Sequence, residues 1–119
     1  MRTLITKAER QKCEQIIRYH TKHSIGGSLK TKFGPTVNLE EITKMTRTLA
    51  KMFKVSMTKT LATITAVNML KEVERRINVR EYIEKFPNRG ETLPVSLTCT
   101  TVELAGWQMA EDFAHQRRQ

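Results

Sequence analysis

Repeated helix-start signatures constrain the fold of this chain more than any other feature of its sequence. In each one a Thr or Asn is followed three residues later by Glu: Thr6 and Glu9, Asn38 and Glu41, Asn78 and Glu81, and Thr100 and Glu103. The first side chain of such a pair caps free N–H groups of a new helix, while the Glu side chain reaches back. These signatures predict a mainly α-helical protein.

Apolar residues spaced three and four apart extend these starts into helices. The predicted helices cover about residues 7–22, 39–53, 57–77, 79–86 and 101–116, and Ile16, Ile17 and Tyr19 are expected to be buried in the first of them. Alternating residues near Lys30 and near Leu97 predict at most a small two-stranded β element that pairs these two segments. With 119 residues, we expect a mainly α fold of four to five helices in a single compact domain, residues 1–119.

Composition narrows the class of protein. Hydrophobic residues make up 39% of the chain and charged residues 28%, which is typical of a globular domain without a membrane span. The first ten residues lack the apolar stretch of a secretory signal, so we expect a cytoplasmic or nuclear protein. Cys13 and Cys99 lie in unrelated segments and are predicted to be reduced thiols.

The charge is strongly positive and unevenly distributed. Lys and Arg number 21 against 12 Asp and Glu, and residues 42–71 contain no carboxylate but carry these basic residues: Lys44, Arg47, Lys51, Lys54, Lys59 and Lys71. At 100° per residue the first four lie within about 80° of one another, opposite the apolar stripe of their helix. Such a ridge attracts a polyanion, namely nucleic acid, an acidic protein or a membrane surface, or it is simply a solvated face.

The ridge overlaps a recognisable local pattern in the stretch TLAKMFKVSMTKTLATI, residues 48–64. Ala50 is a small residue facing a partner helix, Phe53 and Val55 are apolar anchors in a turn, and Ser56 caps a second helix. The order Leu-Ala-x-x-Phe-x-Val-Ser resembles the helix-turn-helix of prokaryotic DNA-binding regulators. The resemblance covers about 17 of the 119 residues.

The stretch departs from that family's pattern at two positions. Lys54 stands where a glycine is usual, and Thr60 stands where a buried aliphatic residue is expected. An ordinary αα-hairpin over the same residues is the alternative interpretation.

The resemblance implies a small, sequence-specific DNA-binding protein that acts in transcription regulation or as an accessory factor, with its helix-turn-helix unit at residues 39–77. Lys44, Arg47, Lys51 and Lys54 would then bind phosphates, and the residues approaching the bases would be Ser56, Thr58, Lys59, Thr60 and Thr63. Duplex DNA is favoured over RNA because aromatic residues make up only 6% of the chain, which leaves few platforms for stacking.

Other classes of function receive less support from the sequence. Catalytic, nucleotide-binding and metal-binding motifs are absent, so we expect a non-catalytic protein without cofactor or metal. Trp107, Met109 and Phe113 share the last helix and either complete the core or form a homodimer or partner face. The second hypothesis is a protein-interaction module, an adaptor or inhibitor whose basic face docks on an acidic partner.

Overall fold

The computed structural model describes residues 5–87 and 92–117 and forms one globule. Its elements in chain order are α1 (Lys7–Ser24), β1 (Ile25–Lys30), β2 (Thr36–Val37), α2 (Leu39–Met52), α3 (Lys59–Arg76), α4 (Val79–Lys85) and α5 (Leu93–Gln116). The prediction of a mainly α domain with a small two-stranded element is confirmed. Among the described residues, none of the helices is both long and apolar enough to cross a lipid bilayer.

Helix capping explains where several of these helices begin. The Thr6 hydroxyl accepts the Glu9 N–H at 3.1 Å, and the Glu9 carboxylate accepts the Thr6 N–H at 3.0 Å. Asn38 and Asn78 cap α2 and α4 by accepting backbone N–H groups three residues further on. The start predicted at Thr100 is wrong, because Thr100 lies inside α5.

The residues around Leu97 form a helix and not the predicted strand. Helix α5 starts at Leu93, with Pro94 in its first turn, where the missing N–H of proline costs no hydrogen bond. The buried hydroxyls of Thr98 and Thr101 donate to the carbonyls of Pro94 and Leu97 at 2.9 and 2.8 Å. These β-branched residues therefore satisfy their polar groups within the helix while their methyl groups pack in the core.

The two-stranded sheet forms within one local hairpin. Lys30 pairs with Thr36, not with residues near Leu97 as predicted. Between the strands, the Gly34 N–H donates to the Thr31 carbonyl at 3.3 Å, and Gly34 has a φ of +110°, which a residue with a side chain rarely adopts. The hairpin closes locally because Gly34 permits this tight turn.

Helix α2 lies at the centre of the fold and packs against α1, α3 and α5. Its buried apolar side chains, together with the residue that follows it, are Ile42, Met45, Leu49, Ala50 and Phe53. The largest buried side chains of α5 in the same cluster are Val102, Met109 and Phe113. The core therefore surrounds one side of α2 and leaves its other side to solvent.

Helix α1 buries only part of the face that was predicted to pack in the core. Ile17 is buried and Ile16 is half-buried, but Tyr19 is 58% exposed. His20 is buried instead, and its Nδ1 lies 2.5 Å from Oε2 of Glu41, a mostly buried carboxylate in the first turn of α2. This polar contact fixes the end of α1 against the start of α2.

Helices α1 and α5 pack closely at Gly106. A Cβ atom built on Gly106 would lie 2.9 Å from Cγ1 of Ile17 and 3.2 Å from its Cγ2. Since cores are packed too densely to absorb an extra methyl group without shifts, this glycine sets the distance between the two helices.

We expect Gly106→Ala to lower the free energy of unfolding by about 1–3 kcal/mol, although alanine has the higher helix propensity. Urea denaturation measures the effect. Ile17→Ala should be less damaging in the Gly106→Ala background than alone, because it removes the colliding atoms. A stabilising Gly106→Ala would contradict the close contact.

A second link between the ends of the fold joins Glu9 in α1 to Arg117, which follows α5. The Arg117 guanidinium donates to both carboxylate oxygens of Glu9, and the hydrogen bond to Oε1 has a length of 2.8 Å. This hydrogen bonding is the main reason why the pKa of Glu9 falls from 4.5 to about 2. Arg117 also lies 5.0 Å above the ring of Phe53, at the end of α2.

Because the pKa of Glu9 is lower in the folded state, its stabilising contribution is present above pH 4.5 and disappears as the pH falls towards 2. We expect Glu9→Gln to be less stable than the wild type at pH 7, with the difference shrinking below pH 4.5. Urea denaturation across pH measures this. The control is Glu14→Gln, which breaks an exposed pair with Arg18 and should have little effect at any pH. A difference for Glu9→Gln that does not depend on pH would contradict the assignment.

Candidate nucleic-acid interface

The predicted basic ridge lines a groove on the solvent side of α2. Lys44, Arg47 and Lys51 project from the exposed face of the helix, and Lys54 follows from the turn. The groove has a volume of about 600 Å³ and is lined by Lys44, Arg47, Thr48, Lys51, Lys54, Val55, Ser56 and Met57. We call it the basic groove. The structure thus brings together all four predicted phosphate-binding residues and Ser56.

The charges of the basic groove are not neutralised within the part of the chain that the structure describes. Its described lining contains no carboxylate, and none of its four cations forms an ion pair with a carboxylate of residues 5–87 or 92–117. By contrast, Arg18, Arg76 and Arg117 all form ion pairs. The groove is therefore a concentrated site of positive potential, suited to bind an anion.

The turn after α2 is a Schellman motif, and Lys54 is its left-handed residue. Lys54 has a φ of +59°, its N–H donates to the Lys51 carbonyl at 3.0 Å, and the Val55 N–H donates to the Ala50 carbonyl at 2.8 Å. These two hydrogen bonds close the helix end in the manner that usually requires glycine. Lys54 therefore adopts the conformation that glycine favours, at the position where the resembling family usually has a glycine.

We expect Lys54→Gly to be at least as stable as the wild type, because glycine adopts a positive φ without steric cost. Lys54→Val should lose about 1–2 kcal/mol, since a β-branched side chain is strained there. Urea denaturation of both variants measures the order. At Lys44, in the middle of α2, the order should reverse, because glycine is the poorer helix former. If valine were tolerated at position 54 as well as glycine, the left-handed conformation would be contradicted.

The second helix begins two residues later than predicted. Thr58, not Ser56, is the N-cap of α3, and its hydroxyl accepts the Leu61 N–H at 3.1 Å. Residues 53–58 thus separate α2 from α3, which is longer than the usual turn of three or four residues in a helix-turn-helix. Thr58 is engaged in capping, while Ser56 lies in the basic groove.

The remaining residues predicted to approach the bases point in different directions. Lys59 and Thr60 are exposed at the start of α3. The Thr63 hydroxyl donates to the Lys59 carbonyl at 2.9 Å and lies 3.3 Å from the hydroxyl of Thr43 in α2. Thr63 therefore belongs to the contact between the two helices and not to an outward surface.

Helix α3 directs two of its large apolar residues, Leu61 and Ile64, towards solvent. Its buried face is formed by Ala62, Ala66, Leu70 and Val73, whereas Leu61 and Ile64 are 48% and 52% exposed. Ala62 and Ala66, four residues apart, are completely buried on one side of α3, while the larger Leu61 and Ile64 face outward. These two alanines were the sequence signal for the buried face of α3, and a search for large apolar residues at helical spacing missed it.

The three residues considered for a partner face separate in the structure. Met109 and Phe113 are 1% exposed and belong to the core, so they cannot form an intermolecular face. Trp107 is half-buried, packs under the Arg10 guanidinium at 5.4 Å, and lines a groove of about 880 Å³ between α4 and α5. Homodimer formation stays a prediction that retains only Trp107 of its original residues.

Both cysteines are free thiols. Burial raises the pKa of Cys13 to about 11 and also raises that of Cys99, so both stay protonated at neutral pH and are poor nucleophiles. No group of three or more His, Cys, Asp or Glu residues within the described ranges is arranged to hold a metal ion.

Comparison with protein-family models, with curated proteins and with solved structures gave no match.

Proposed function

We propose that this protein is a non-catalytic DNA-binding protein, a small regulator or accessory factor that presents the basic groove to duplex phosphates. One observation carries the proposal: four cations without ion pairs among the described residues surround a single groove whose described lining holds no carboxylate. A protein domain that needed charge only for solubility would gain nothing from concentrating it in this way.

The connection between the groove and α3 supports duplex DNA as the polyanion. The turn that lines the groove leads through the N-cap Thr58 directly into α3. A phosphate held by Lys51 and Lys54 would therefore lie close to the start of an exposed helix. This is the relation by which helix-turn-helix proteins fix one helix on the backbone and direct the next into the major groove.

Salt dependence of binding tests the proposal. Each phosphate contact contributes about 0.9 to the slope of log K against log salt concentration. We expect duplex binding to weaken steeply with salt and Lys51→Gln to flatten the slope by about one unit. The matched control is Lys85→Gln, which removes one charge from the α4–α5 groove and should leave the slope unchanged.

Fluorescence anisotropy with labelled duplex DNA, single-stranded DNA and structured RNA separates the candidates. An equal slope for Lys51→Gln and the wild type would remove Lys51 from the interface. If none of the three nucleic acids bound at low salt, the proposal would be wrong, and an acidic protein partner would be the next candidate to test for the basic groove.

A further inference from the structure

Helix α3 presents an outward face that combines two large apolar side chains with polar ones. Its exposed residues, on successive turns, include Thr60, Leu61, Ile64, Asn68 and Lys71. We call these five residues the outer face of α3. Leu61 and Ile64 are each about half exposed. Exposure of two neighbouring large apolar side chains to water is unfavourable.

The outer face lies between two groups of cations. At its N-terminal end is the turn that lines the basic groove. At its C-terminal end, the β hairpin and α3 form a second cavity of about 730 Å³, lined by Lys30, Lys32, Asn68, Lys71, Glu72, Glu74 and Arg75. Asn68 and Lys71 belong to both the outer face and this second cavity, so the cations border the apolar residues directly.

The two carboxylates of the second cavity already have partners. Glu72 pairs with Arg76 at 2.9 Å, and Glu74 accepts the backbone N–H of Lys32 at 2.8 Å. Within the described residues, neither Lys30 nor Lys71 forms an ion pair. Both ends of the outer face can therefore attract anions.

The spacing suits the major groove of duplex DNA. From Thr60 to Lys71 the helix advances about 17 Å, at about 1.5 Å per residue. The major groove of B-DNA is about 12 Å wide and is bordered by two rows of phosphates. If such a helix lay in this groove, the cations at its two ends would contact phosphates on both sides. The apolar residues between them would contact base edges.

We propose, on the basis of the proposed function, that the outer face of α3 enters the major groove and that Leu61 and Ile64 pack against thymine methyl groups. The C5 methyl of thymine is the one apolar group that the standard bases present in this groove. The preferred sites are therefore rich in thymine. RNA is disfavoured, because it lacks this methyl group and its major groove is too deep and narrow to be read.

Replacing thymine by uracil removes only that methyl group and tests the proposal. A duplex selected from a random 20-base-pair pool as the best bound is resynthesised with uracil in place of thymine, and the two affinities are compared at fixed salt. We expect the thymine duplex to bind at least about fourfold more tightly, the value for one buried methyl group.

Matched variants locate the contact. Leu61→Ser/Ile64→Ser should bring the affinity ratio of thymine to uracil duplex close to one. Leu104→Ser, which changes a leucine of equal exposure (47%) on α5, should leave the ratio unchanged. Circular dichroism establishes that each variant is folded, which is expected because all three side chains are exposed.

The outcomes separate this inference from the proposed function. Absence of binding to any duplex at low salt would overturn both. Equal affinity for the thymine and uracil duplexes, a selected site without thymine, or loss of the ratio in Leu104→Ser would overturn the methyl contact but leave DNA binding in place. Self-association abolished by the Leu61/Ile64 double variant, with an affinity ratio of one in the wild type, would show that a second copy covers the outer face instead.

Discussion

The burial of one side of α2 against three other helices is the constraint on which the rest of the structure depends. Ile42, Met45 and Leu49 are completely buried between α1, α3 and α5, and each such side chain contributes about 1.5–3 kcal/mol. Repulsion between exposed cations costs less than about 1 kcal/mol per pair. Burial therefore decides which way the helix faces, and the cations of the basic groove have to face solvent together. The fold can maintain a concentrated positive surface because the opposite side of the same helix is so firmly held.

The end of α2 determines where that surface meets α3. The left-handed conformation of Lys54 reverses the chain, Val55 completes the Schellman motif, and the buried ring of Phe53 lies beneath Arg117. Arg117 in turn binds Glu9, so the turn is tied to both ends of the described chain. Tertiary contacts therefore fix the position of the turn between the basic groove and α3. An interface with a fixed geometry requires such a fixed turn.

Local sequence signals predicted where most helices start, whereas tertiary packing determined which of their side chains are buried. The caps Thr6, Asn38 and Asn78 act on neighbouring residues, so the starts of α1, α2 and α4 were predictable. The start at Thr100 was wrong because α5 already begins at Leu93, with Pro94 in its first turn. Lys44, Arg47 and Lys51 are exposed on α2, as helical geometry predicts, whereas Lys54 joins them from the turn that follows the helix. The outward direction of Leu61 and Ile64 was not predictable from apolar spacing, because the buried face of α3 includes the small residues Ala62 and Ala66.

A titration followed by nuclear magnetic resonance tests the central claim, that the α2–α3 side of the molecule binds duplex DNA, most directly. The chain contains one tryptophan, Trp107, whose position in the α4–α5 groove makes its indole N–H an internal reference away from the basic groove. Addition of duplex DNA is expected to shift the backbone amides of residues 44–57 and 60–71 and to leave the Trp107 indole signal unchanged. Shifts confined to the α4–α5 groove and the Trp107 indole, with residues 44–57 unaffected, would contradict the account.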